Sequence, residues 1–135
     1  MNNYKAYSLI GAALAALATV ATTAVLVANS RESHQIVIVA KDMTFTVVGS
    51  PKSDGVNHPL RLAAGIVVTI IFRNDDAGMR HDLVLDGLAV RSRVLAYGEQ
   101  QRLTFTVPHQ TGDSIYLCSL HPRMMRGLLT IYPQR

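Results

Sequence analysis

At 135 residues the chain has room for one domain with a tail or anchor beside it, and its 49% hydrophobic content exceeds what a soluble domain of that size needs. With 13 Lys and Arg against 9 Asp and Glu the net charge is +4, yet there is no Lys/Arg run or basic helix, which argues against nucleic-acid binding. The single cysteine excludes an internal disulfide and makes Cys118 a candidate ligand or nucleophile.

The hydrophobic excess is concentrated near the start. From Ser8 to Ala28 no residue is charged, and Ser8, Thr19, Thr22 and Thr23 are the only polar ones. As a helix these 21 residues would span about 31 Å, close to the hydrocarbon thickness of a bilayer. A cleaved secretory signal is one reading, with Thr22-Thr23-Ala24 and Leu26-Val27-Ala28 as passable cleavage sites. An uncleaved anchor is the other, favoured by the length of the run, and its Gly11, Ala12, Ala15, Ala16 face would suit packing against a neighbouring helix. We therefore expect residues 1–30 to be a transmembrane helix or signal segment and residues 31–135 to be the folded domain, which carries +3 because only Lys5 of the charged residues lies before it. Lys5 favours a cytoplasmic N-terminus. The domain is then expected on the periplasmic or extracellular side of the cytoplasmic (inner) membrane, or secreted into the periplasm if the start is cleaved.

Residues 29–35 read as a polar linker. Beyond it the pattern changes to short β-branched and aromatic runs. Gln35–Ala40, Met43–Val48, Ile66–Arg73, His81–Leu85, Arg102–Val107, Ser114–Cys118 and Leu128–Tyr132 read as strands. Ser50–Pro59, with Pro51, Asp54, Gly55, Asn57 and Pro59, reads as loop. Short strands punctuated by Gly, Pro, Asn and Asp, with no sustained helical period, predict an all-β sandwich or barrel.

The chemistry gathers near the end, in Cys118-Ser119-Leu120-His121-Pro122-Arg123-Met124-Met125-Arg126-Gly127. A thiolate, an imidazole and two thioethers lie between two expected strands. Soft sulfur ligands with imidazole suit copper, and a trigonal His₂Cys set with a weak axial Met is the blue-copper arrangement. The second histidine has to come from elsewhere. His81 is well placed, directly after the turn at Asn74–Gly78. Zinc is the chemical rival, but its structural sites take four Cys/His ligands and methionine serves it poorly. His34, His58 and His109 read as solvated linker and loop residues, Met43 and Met79 as packing residues, and Tyr116 as a sheet residue that packs or hydrogen-bonds.

At these residues the sequence resembles the cupredoxin family of plastocyanin, amicyanin, pseudoazurin and azurin. The resemblance covers nearly all of Gln35–Arg135. It rests on Ala40-Lys41-Asp42-Met43-Thr44-Phe45, on Ala64-Gly65 before Val67–Phe72 and Asn74-Asp75, on Gly78-Met79-Arg80-His81-Asp82, and on Cys118-Ser119-Leu120-His121-Pro122. It implies a Greek-key β-sandwich with one mononuclear type 1 copper held by His81, Cys118, His121 and a methionine. Two departures stand out. Asp82 occupies a position where the family often has an Asn that ties the ligand loops together. Amicyanin-like spacing selects Met124 as the axial ligand, whereas the family's Met-x-Gly selects Met125 through Met125-Arg126-Gly127. Met125 is favoured, with Met124 as the alternative.

A buried copper with no open position has little scope for binding substrate, so the expected function is single-electron transfer rather than enzymatic catalysis. A binuclear copper centre needs two cysteines, and multicopper oxidases and copper nitrite reductases need further histidines and another domain. The expected partner is a redox protein such as a cytochrome or a membrane oxidase or reductase complex, reached through His121 and steered by Arg80, Arg123 and Arg126. The alternative is a periplasmic copper-binding module that delivers or stores the metal.

Overall fold

A computed structural model describes residues 34–50 and 57–134 of the chain. The anchor or signal segment expected over residues 1–30 lies outside the described residues, as does most of the Ser50–Pro59 loop. Among the described residues every regular element is a strand, and no helix is long and apolar enough to cross a membrane.

Nine strands run in chain order: β1 His34–Lys41, β2 Thr44–Val47, β3 Leu60–Ala63, β4 Val67–Asn74, β5 Val84–Leu85, β6 Val90–Arg91, β7 Gln100–Thr106, β8 Gly112–Leu117 and β9 Arg126–Tyr132. They form two sheets, ordered β2-β1-β4-β7 and β3-β9-β8-β5-β6. The pairs β1–β4 and β3–β9 are parallel and the others antiparallel. Parallel neighbours cannot be joined by a tight hairpin. The chain accordingly changes sheet five times, after β2, β3, β4, β6 and β7.

Period-two alternation sets which side chains face inward. In β3, Leu60 and Leu62 are buried while Arg61 points out; in β9, Leu129 and Ile131 are buried. From the other sheet Ile38, Phe45, Val68, Ile70 and Phe72 meet them. Phe45 joins the layers, with its ring 6.1 Å from Phe72 in its own sheet and 5.4 Å from Tyr116 in the opposite one. Such aromatic contacts add to the area they bury.

The expected strands and the observed ones differ where the site begins. His81 precedes β5 and pairs only with Leu95, as an isolated bridge, because Asp82 turns inward to bond another loop. Cys118 lies one residue past the end of β8, and β9 starts two residues earlier than its apolar run, at Arg126. The strands β3 and β6 were not expected. Leu60-Arg61-Leu62 alternates but lacks β-branched residues and follows Pro59, and β6 is two residues long.

Candidate metal centre

Two connections, β4 to β5 and β8 to β9, build the site. At the end of β4, Asn74 is fully buried and organises the first of them. Its side-chain amide donates to the carbonyls of Met79 (2.9 Å) and Leu95 (3.0 Å), and its Oδ1 accepts the Asp76 N–H (2.9 Å). The Met79 N–H donates to the Asp76 carbonyl, closing a turn in which Gly78 takes φ +78°, a backbone region that favours glycine. The chain then delivers His81, held on both sides by backbone bonds to Leu95 of 3.1 and 2.7 Å.

The second connection is wound by its own backbone. The His121 N–H donates to the Cys118 carbonyl, the Met124 and Met125 N–H groups both donate to the His121 carbonyl, and the Cys118 N–H donates to the Met125 carbonyl at 2.9 Å. Cys118 and Met125 thus face each other across the mouth of the loop. Asn57 braces this loop from outside, accepting the Phe45 N–H and donating to the Met124 carbonyl at 2.8 Å.

The structure brings three of the sequence-nominated residues together. The Cys118 Sγ lies 3.7 Å from the Nδ1 of His81 and 3.7 Å from the Nδ1 of His121, and the three donor atoms all lie within 4.8 Å of one another. The two imidazole rings meet edge to face with centroids 5.0 Å apart. His81, Cys118 and Met125 are fully buried, His121 is half-buried, and Met124 is 61% exposed. Of the two methionines, only Met125 belongs to the buried cluster that contains Cys118.

Burial pushes the Cys118 thiol above its ordinary pKa, while backbone N–H groups of Asp82, Leu120 and His121 oppose the shift by favouring the thiolate, the ligating form. Asp82 also ties the two loops. Its Oδ1 accepts the Ser119 N–H and its Oδ2 the Ser119 hydroxyl, each at 2.6 Å, and Arg91 lies 3.3 Å from Oδ2. Asp does here what the family's Asn was expected to do, with both carboxylate oxygens in use. Three side chains that shape the site, Asn57, Asn74 and Asp76, lie where the sequence predicts turn or loop and carries no sign of these bonds. Of the remaining histidines, His34 and His109 are exposed, with the His109 ring over Gly65, and His58 is half-buried. Met43 packs against the core as expected.

Among solved structures the chain is similar to auracyanin from the photosynthetic bacterium Roseiflexus castenholzii, with TM-score 0.58 and 17% identity over 75% of this chain and 98% of that one. It is similar also to auracyanin A, a "blue" copper protein from the green thermophilic photosynthetic bacterium Chloroflexus aurantiacus, with TM-score 0.56 and 20% identity over 73% and 98% of the two chains. The fold is that of the cupredoxins. The copper nitrite reductase of Nitrosomonas europaea shares this cupredoxin fold at TM-score 0.59 and 18% identity, but the chain covers only 42% of that enzyme. No family model matches the sequence, and no curated protein does.

The donors fit the copper that the cupredoxin fold implies. Thiolate and imidazole bonds to a first-row ion run about 2.3 and 2.0–2.1 Å, which puts two donors on one ion about 3.5–3.8 Å apart. Both Cys118–His separations of 3.7 Å fall there. A thiolate and two imidazoles, with a thioether buried beside them, match one mononuclear type 1 copper in ligand type as well as spacing.

Proposed function

We propose that the chain is a membrane-tethered type 1 copper protein that carries single electrons between redox partners outside the cytoplasmic membrane. The observation that carries this reading is a Cys118-centred donor cluster in which His81, Cys118 and Met125 are wholly buried and His121 reaches the surface. A bound copper would supply a Cu(II)/Cu(I) couple, and His81, Cys118 and His121 would hold it, with the buried Met125 rather than the exposed Met124 offering the thioether. The two braced loops hold these side chains in one arrangement, which keeps rearrangement on electron transfer small. Among the described residues Cys118 is fully buried, which suits electron transfer better than substrate binding.

His121 is the port by which an electron enters or leaves. Leu120, Pro122 and Met124 lie exposed around it, and Arg80, Arg123 and Arg126 are exposed as well. An apolar contact with a basic rim suits an acidic face on a cytochrome or on a membrane oxidase or reductase complex, with the charges acting mainly on association rate. The uncharged run Ser8–Ala28 supports tethering by residues 1–30, and Lys5 supports a cytoplasmic N-terminus with the copper domain on the periplasmic or extracellular side.

The rival reading, a module that delivers or stores copper, calls for an exchangeable site. Cycling the copper-loaded protein between ascorbate and ferricyanide with a Cu(I) chelator present separates the two. A carrier keeps its copper through repeated cycles, and Arg123→Glu with Arg126→Glu slows oxidation by the ferricyanide anion about tenfold at low ionic strength. Loss of copper to the chelator at the first reduction would establish the delivery reading instead, and an unchanged oxidation rate would remove the steering role of the arginines.

A further inference from the structure

The two histidines of the cluster are supported differently. His81 is completely buried, and both of its ring nitrogens face a partner: Nδ1 the Cys118 sulfur at 3.7 Å, and Nε2 the Asp76 Oδ2 at 3.0 Å. Asp76 is itself held firmly. Its N–H donates to the buried Asn74 side chain, its carbonyl accepts the Met79 N–H, and the same Oδ2 that meets His81 accepts the Met43 N–H at 3.1 Å. Met43 stands at φ +58° in the turn between β1 and β2, so a third segment of chain aims the carboxylate. The Asp76 side chain is 13% exposed, so its carboxylate is partly shielded from water.

We propose that Asp76 is a positioning residue that keeps the His81 proton on Nε2, points the Nδ1 lone pair towards Cys118, and biases the site towards Cu(II) over Cu(I). The inference rests on the copper reading above. A carboxylate accepts but does not donate, so Nε2 must carry the hydrogen and Nδ1 is left as the donor atom. A carboxylate behind a ligating imidazole also raises its basicity, and removing such partners commonly changes metal affinity by about 10–100-fold. The added negative charge stabilises the more highly charged ion more. His81 thereby gains a preset orientation, and the reduction potential gains a control that works through the histidine.

Two variants separate geometry from charge. Asp76→Asn keeps an oxygen able to accept from both His81 and Met43 but removes the charge, whereas Asp76→Ala removes both. In the ¹⁵N-labelled metal-free protein at pH 8, His81 should be the Nε2–H tautomer in the wild type and in Asp76→Asn, and should lose that preference in Asp76→Ala. With copper bound, the ratio of Cu(II) to Cu(I) affinity should fall about tenfold in Asp76→Asn, read as a potential about 59 mV higher. An Nδ1–H tautomer in the wild type, or a ratio within twofold of wild type in Asp76→Asn with visible thiolate–copper absorption intact, would overturn the role of Asp76. Absence of that absorption from the wild type would remove the copper reading itself, and the proposal with it.

Discussion

Asp82 fastens the chain just before β5 to the loop after β8 with one nearly buried side chain that takes two hydrogen bonds from Ser119. Bonds to an ionised acceptor are the stronger kind, so Asp82→Ala should lower the stability of the metal-free protein by about 2–3 kcal/mol, read from its urea midpoint. Asp82→Asn keeps an acceptor for the Ser119 N–H and should lose about half as much. Equal midpoints for Asp82→Ala and wild type would show that the loop tie does not stabilise the fold. At this scale the sequence was informative where chemistry is local. His81, Cys118 and His121 could be nominated because their side chains have few other shared uses. Two family patterns point at adjacent residues, Met124 and Met125, of which the sequence favours Met125, and Met125 is the buried one of the two. Asn57 was out of reach because the carbonyl it braces lies 67 residues away, and Asp76 because its approach to His81 depends on Met43, 33 residues away along the chain.

The hairpin of β8 and β9 explains the glycine after the methionines. Tyr116 pairs with Gly127, and a Cβ at Gly127 would overlap the tyrosine ring. Glycine is needed there to make room. The same ring reaches over β9 to donate its hydroxyl to the His58 carbonyl, just before β3. Tyr116→Phe leaves that carbonyl without its donor and should cost about 1 kcal/mol at pH 8. Burial raises the Tyr116 pKa above its ordinary value of 10.0. The phenol therefore stays protonated in the folded state at pH values where the unfolded chain ionises. Its contribution is complete below about pH 10 and is lost as pH rises beyond it. Urea unfolding at pH 8 and pH 11 should show a steeper loss for the wild type than for Tyr116→Phe; parallel losses would contradict this. Of the strands, β4 and β7 were legible because β-branched runs and clean alternation mark them. β3 and β6 take their strand form from neighbours: β3 lies beside β9 in parallel, and β6 beside β5.

Five changes of sheet fold the chain so that residues 37 apart, His81 and Cys118, share one end of the sandwich. The pattern of short strands implied a sandwich or barrel, but not the order of its strands. The parallel pairs β1–β4 and β3–β9 depend on contacts between distant segments, which periodicity does not encode. The family resemblance implied a Greek-key sandwich and which motifs meet at one end of it, and the strand order itself comes from the structure. The result is a frame that brings His81, Cys118 and His121 together from two loops braced by Asn57, Asn74, Asp76 and Asp82, with His121 half-buried and leading outward. In the proposed function Cys118 ligates copper inside this frame. The most direct test is the visible absorption spectrum of the full chain titrated with Cu(II), beside Cys118→Ser. Intense blue or green absorption that saturates at one equivalent, bleaches with ascorbate and is missing from Cys118→Ser is the predicted result. A pale spectrum that is the same in both proteins would contradict the thiolate–copper site.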